Sequence, residues 1–116
     1  MTVVGIDFDN TLVHYESGMA AFGDVGPTFP GAVAFLRALG EVGIRVRIFS
    51  ARASDARGKR TIEEWVRQNQ LEDVVESVTH EKLPEMAVIV DDRAIHFDGN
   101  YRAILKEIIR RLREEE

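Results

Sequence analysis

The sequence predicts an α/β fold, a three-layer, doubly wound parallel sheet of four to five strands with helices on both faces. Three observations predict it. Short β-branched runs alternate along the chain with segments whose apolar residues recur at helical spacing, the pattern that builds parallel sheets. The first run, Val3-Val4-Gly5-Ile6, is unbroken by polar residues, as in a strand covered on both sides. Three of the four stronger runs stop at polar side chains, at the strand ends where open α/β sheets bind ligands.

Residues 3–6 form the first strand and lead into Asp7-Phe8-Asp9-Asn10-Thr11. Residues 13–28, with Gly18, Gly23, Gly26 and Pro27, read as an irregular loop or flap. Pro30 suits the first turn of a helix entered at Thr28 or Phe29. Its apolar face is Val33, Phe35, Leu36, Leu39 and Val42, and it ends near Gly43. Residues 44–49 form the second strand, ending at Ser50-Ala51-Arg52. Ser54 or Asp55 caps the next helix, whose buried stripe is Ile62, Trp65 and Val66. Residues 74–78 are a short third strand and 86–90 a fourth, ending at Asp91-Asp92. Residues 94–97 form a brief fifth strand or a turn. The last helix, about 101–113, repeats Ile104, Leu105, Ile108, Ile109 and Leu112 at helical spacing. No repeat, linker or second domain interrupts this series, so 1–116 reads as one domain with 13–28 as its flap.

With 45% hydrophobic residues in 116, the chain can bury one modest core. A net charge of −5 argues against tight non-specific binding to nucleic acid, although a local basic patch remains compatible with it. The absence of cysteine excludes disulfides, thiol catalysis and cysteine-ligated zinc. No apolar stretch reaches the length of a membrane span, and Asp7 interrupts what would be a signal-peptide core. A cytoplasmic location, with no membrane partner, is the expectation.

Asp7 and Asp9 are two residues apart at a strand end, so their carboxylates leave it toward one side. Two like charges that close call for a cation or a shared proton. Such a site is typical of Mg²⁺, and Mg²⁺ sites of this kind often handle phosphate. Taken alone, an Asp-x-Asp at a strand end is more often a turn or cap. What raises it is the rest of the series: Ser50 ends the second strand, Lys82 precedes the fourth, and Asp91 and Asp92 end it. Lysine is scarce here, with only Lys59, Lys82 and Lys106 among fifteen basic residues, and Lys59 is the rival for the same role.

This order of Asp-x-Asp-x-Thr, Ser, Lys and Asp-Asp resembles the haloacid dehalogenase superfamily of phosphohydrolases, over most of the chain from Val3 to about Gly99. The second half, with Ser50-Ala51-Arg52, Trp65, Lys82-Leu83-Pro84 and Val90-Asp91-Asp92-Arg93-Ala94-Ile95-His96-Phe97, looks like small capless phosphatase-like proteins of bacteria and phages. More loosely it is similar to the 3′-phosphatase domain of phage-type polynucleotide kinases. Asn10 departs from the pattern, which often has glycine there, and the spacer after the first motif is too short for the larger caps.

The resemblance implies a Rossmann-like core without a cap domain and a Mg²⁺-dependent phosphatase. Asp7 would be the nucleophile that forms an aspartyl-phosphate. Asp9 would be the general acid and base, its pKa raised by neighbouring carboxylates. Mg²⁺ would be held by Asp7, by Asp9 through its backbone carbonyl, by Asp91, and by Asp92 directly or through water. Ser50 would hydrogen-bond a phosphoryl oxygen and Lys82 would neutralise charge. Thr11 would support the loop by hydrogen bonding. Arg52 and Arg93 flank the mouth and could bind a leaving group or pair with a site carboxylate. His14 and His96 read as surface or packing residues, and Trp65 as core.

Two other classes compete. A receiver domain also uses acids, a hydroxyl and a lysine on such a sheet, but it does not place Asp-Asp after the lysine. A phosphate-binding or regulatory module that has lost catalysis gains no support, because every expected residue is present. The partner expected is a phosphorylated substrate, with a nucleic-acid end as one option and a homo-oligomer covering the open site as another.

Overall fold

Val3, Val4 and Ile6 are β-branched and place β1 (Val3–Asp7) at the centre of the sheet, where both of its edges are paired. The structure, a computed structural model, describes residues 2–16 and 23–114. β1 runs parallel to β2 (Arg45–Phe49) on one side and β4 (Met86–Val90) on the other, and β2 runs parallel to β3 (Val75–Thr79). The strand order is β3-β2-β1-β4. The expected α/β architecture holds: four parallel strands flanked by helices, with no cap domain among the described residues. The flap expectation at 13–28 falls partly on 17–22, which lie outside the described residues. Residues 94–97 are not a strand.

α1 (Ala32–Glu41) joins β1 to β2, and α2 (Ala56–Gln68) joins β2 to β3. Both steps move the same way across the sheet, so right-handed crossovers put both helices on one face. There Val4, Ile6, Val46 and Ile48 meet Leu36, Ile62 and Trp65 in a single core. α1 starts at Ala32 and not at Pro30, because Gly31 takes a left-handed φ of 87° that breaks the helical path just before it. Phe35 and Val42, expected on its apolar face, are exposed. α2 is capped by Asp55, whose carboxylate accepts from the Arg57 N–H at 2.8 Å. Its buried residues include the expected Ile62, Trp65 and Val66.

On the opposite face Met86 and Phe49 close over Gly5, a position where a Cβ would collide with the Met86 side chain. Arg47 on β2 pairs with Glu76 and Glu85. After β3 the chain returns across the sheet to β4, and then forms α3 (Tyr101–Glu114). α3 has the expected apolar stripe but buries none of its residues. Periodicity predicted the helix correctly, but its apolar stripe is left uncovered.

Candidate functional site

The connections from β1 run one way, to β2, while β4 arrives from the other side, so the chain changes direction between β1 and β4. Beyond the strand ends at such a point a crevice opens, because neither neighbouring connection covers it. Asp7 ends β1, and Asp91 and Asp92 follow β4, so the topology brings together carboxylates more than eighty residues apart in sequence.

One oxygen from each of Asp7, Asp91 and Asp92 lies within 4.8 Å of the others. Burial, a hydrogen bond with Asp92 and the charge of Asp91 push the Asp7 carboxyl up to about 7, against a weaker opposing bond from the Phe8 N–H. The crowding expected around the motif therefore falls on Asp7. Asp91 goes the other way: burial works to raise it, but the Arg93 N–H and the Lys82 ammonium outweigh burial and hold it below the usual carboxylate range. Lys82 Nζ stands 3.2 Å from Asp91 Oδ2 and 5.3 Å from the centre of the Phe49 ring. Lys59 lies on α2, away from this cluster, so Lys82 is the lysine the fold delivers to it. The Arg93 N–H donates to Asp91 Oδ1 at 2.8 Å. Three converging carboxylates, one of them pushed upward by burial and by its acidic neighbours, form a hard oxygen donor set that fits a divalent cation such as Mg²⁺.

The Asp9 side chain is not part of this trio; its expected metal contact is through the backbone. Its carboxylate is gripped by Arg52, with Nε to Oδ2 at 3.0 Å and Nη2 to Oδ1 at 2.6 Å. Arg52 Nη1 also donates to the Asp24 carbonyl at 2.7 Å, and its guanidinium lies over the Phe8 ring. Only 2% of the Arg52 side chain is exposed. Of the two roles the sequence left open for Arg52, the structure shows the carboxylate pair. Gly58 makes this possible: a Cβ there would sit 1.9 Å from the Arg52 carbonyl, so only glycine lets α2 approach the turn that carries Arg52.

Ser50 is buried at the end of β2, where its N–H donates to the Thr79 carbonyl at 2.9 Å and its Oγ accepts from the Arg52 N–H at 3.3 Å. Asn10 takes a left-handed φ of 60°, a region open to Asn but costly for most side chains. Asn10 Oδ1 accepts from the Tyr15 N–H at 2.9 Å and closes the loop after β1. Thr11 does not support the loop as expected: its buried Oγ1 has no hydrogen-bond partner. Trp65 is core, edge-on to Phe8 at 5.4 Å, with Nε1 donating to Thr28 Oγ1. His14 stacks on Phe29 and His96 is exposed.

Asp7, Asp9, Ser50, Arg52, Asp92 and Arg93 line one cavity of about 250 Å³. That is below the ~300 Å³ at which small-molecule pockets usually begin. Asn10 and Tyr15 also line it and were not foreseen as site residues. Asn10 carried a signal, since Asn after a strand tolerates a left-handed turn. Tyr15 carried none, because it reaches the cavity through the bridge between Val13 and Thr28.

No family model matches the chain, and no curated protein does. A conserved protein from Bacteroides thetaiotaomicron is similar in structure, with 18% identity, a TM-score of 0.55, and coverage of 94% of this chain and 90% of that one. At that identity the likeness bears on the fold alone.

Proposed function

We propose that the chain is a Mg²⁺-dependent phosphatase that works through an aspartyl-phosphate on Asp7, as its resemblance to haloacid dehalogenase-type hydrolases implies. The observation that carries the reading is the trio of Asp7, Asp91 and Asp92 at the switch point of the sheet, with Ser50 and Lys82 beside it. Lys82 offsets only the Asp91 charge, so Asp7 and Asp92 stand against each other without a cation of their own, an arrangement that phosphoryl-transfer sites use to hold Mg²⁺.

Asp7, Asp91 and Asp92 would hold Mg²⁺, which when bound offsets the repulsion between carboxylate and phosphate. A carboxylate oxygen of Asp7 attacks phosphorus in line, forming the new O–P bond as the bond to the leaving oxygen breaks. Asp9 gives that oxygen a proton. Asp9 then takes a proton from water as the water attacks the same phosphorus, releasing phosphate and restoring Asp7. To act as an acid, Asp9 must carry a proton and give up part of its grip on Arg52, so the Arg52 pair is the resting arrangement. The Ser50 hydroxyl donates to a phosphoryl oxygen, and Lys82 balances charge beside Asp91.

A polynucleotide 3′-phosphate substrate has one observation in its favour. A second groove, sharing Asn10, Asp92 and Arg93 with the cavity, adds Arg110, Arg111 and Glu114, the two arginines being ion-paired to Glu107 and Arg110 also to Glu114.

The test is a phosphatase panel with Mg²⁺, spanning sugar phosphates, nucleotides and 3′-phosphorylated oligonucleotides, with Asp7→Asn run beside the wild type. Asp7→Asn is expected to lower turnover by several orders of magnitude. Equal turnover removes Asp7 as nucleophile, and no turnover on any ester removes the enzyme reading.

A further inference from the structure

Ten large apolar side chains are exposed among the described residues, and eight of them lie between Val88 and Leu112. Two surfaces account for most of these. The first is the apolar stripe of α3, where Leu105 and Leu112 are each 58% exposed. The second is β4, an edge strand on which Val88 is 56% exposed. Val88 pairs in register with Val4, so it continues the core face of the sheet past the point where helices cover it. The chain thus has a helix that lacks a sheet and a sheet margin that lacks a helix.

A helix of 14 residues is marginal in water unless its apolar face is packed. Its own body offers α3 little beyond two hydrogen bonds from Arg111 Nη1 to the Arg93 and Ala94 carbonyls. The radius of gyration, 15.2 Å, exceeds the ~13 Å of a compact chain this size, as a projecting helix requires.

We propose that α3 and the β4 margin form the interface through which two copies of this chain pair, the α3 of each lying against the β4 margin of the other. Such an exchange is isologous and closes after two copies. Area supports it. Val88 on the core-side margin, with Tyr101, Leu105, Ile108, Ile109 and Leu112 along α3, presents roughly 600 Å² of apolar surface per copy, most of the ~800 Å² that one partner gives to a standard interface. Charge supports it too. α3 carries five basic residues and two acidic ones in a chain whose net charge is −5, so the rest of the chain is more acidic than the whole. β4 is flanked by Glu81 and Glu85 before it and by Asp91 and Asp92 after it; Glu85 is paired with Arg47 and Asp91 with Lys82, which leaves Glu81 and Asp92 without a lysine or arginine partner among the described residues. The proposal does not require catalysis at the cavity, although Asp91 and Asp92 belong both to the acidic trio and to the acidic flank of β4.

Sedimentation velocity of the full chain across micromolar concentrations tests it. The wild type is expected to sediment as a dimer. Leu105→Glu/Ile109→Glu on the helix side, and separately Val88→Glu on the strand side, are each expected to give a monomer. The near-UV signal of Trp65, which is buried in the body, is expected to persist in both. A wild type that stays monomeric overturns the proposal, and so do variants that remain dimeric. Loss of the Trp65 signal in the α3 variant also overturns it, since α3 would then be packing on its own body.

Discussion

The two walls of the cavity are held in different ways. The wall from β1 and β2 is locked by folding: Ser50 and Arg52 are buried, and Arg52 ties Asp9 to the Asp24 carbonyl. The opposite side, to which the segment after β4 gives Asp92 and Arg93, is loose by comparison: Arg93 is at the surface, Lys82 stands half-exposed beside Asp91 outside the cavity lining, and α3 buries nothing. The hydrogen-bonding side of the site is therefore preorganised by the core, whereas the acidic side is left with repulsion that a bound cation would relieve.

The largest effect expected away from Asp7 itself sets helix against helix. Ile62→Ala in α2 is expected to cost about 2–5 kcal/mol, as a fully buried Ile does, whereas Ile109→Ala in α3 is expected to cost under about 0.5 kcal/mol in dilute protein. Urea denaturation followed by Trp65 fluorescence reads both, and equal costs would mean that the last third of the chain is packed like the rest.

A smaller contrast lies across the cavity. Ser50→Ala is expected to lower turnover by about 10²–10³, the usual loss for one preorganised donor. Lys82→Ala is expected to lower it less, because solvent screens a half-exposed ammonium. Steady-state rates on whichever ester the panel identifies decide the order, and the reverse order would place the preorganised wall on the wrong side.

The smallest effect is one of pH. The folded Asp7 carboxyl, raised to about 7, binds its proton more tightly than in the unfolded chain, where its value is near 3.8. Folded stability contributed by this group is thus present in acid and is lost as pH rises from about 4 to about 7. Asp91, whose shift is downward, acts below that window. In a chelating buffer the melting temperature is expected to be lower by a few degrees at pH 8 than at pH 5, a kcal/mol being worth about 4 °C at this size, and Mg²⁺ is expected to recover it at pH 8. Thermal melts in both buffers check this; a melting temperature unchanged by pH and by Mg²⁺ would leave the trio without its stored repulsion.

Most of the strand and helix series was legible in the chain. Strand periodicity located β1 to β4 within a residue or so, and Asp55 and the Ile62-Trp65-Val66 stripe announced α2. Failures came where one residue overrode a pattern. Gly31 delayed α1 past Pro30, and Thr11 Oγ1 was left without the partner its type usually finds.

The sequence by itself determined which chemical groups end the strands, because side-chain period and β-propensity are local properties. Asp7, Asp9, Ser50, Asp91 and Asp92 were readable for that reason. Only the tertiary structure decided how these groups are paired. Return of the chain to β4 set Asp91 and Asp92 against Asp7 and brought Lys82, rather than Lys59, to them. The close approach allowed by Gly58 let α2 support the turn from which Arg52 reaches Asp9. Whether a helical stripe is covered was equally beyond the sequence: α2 and α3 have the same amphipathic pattern, but only α2 lies on a crossover that presses it to the sheet. Periodicity states which face of a helix is apolar, and the path of the chain states what that face meets.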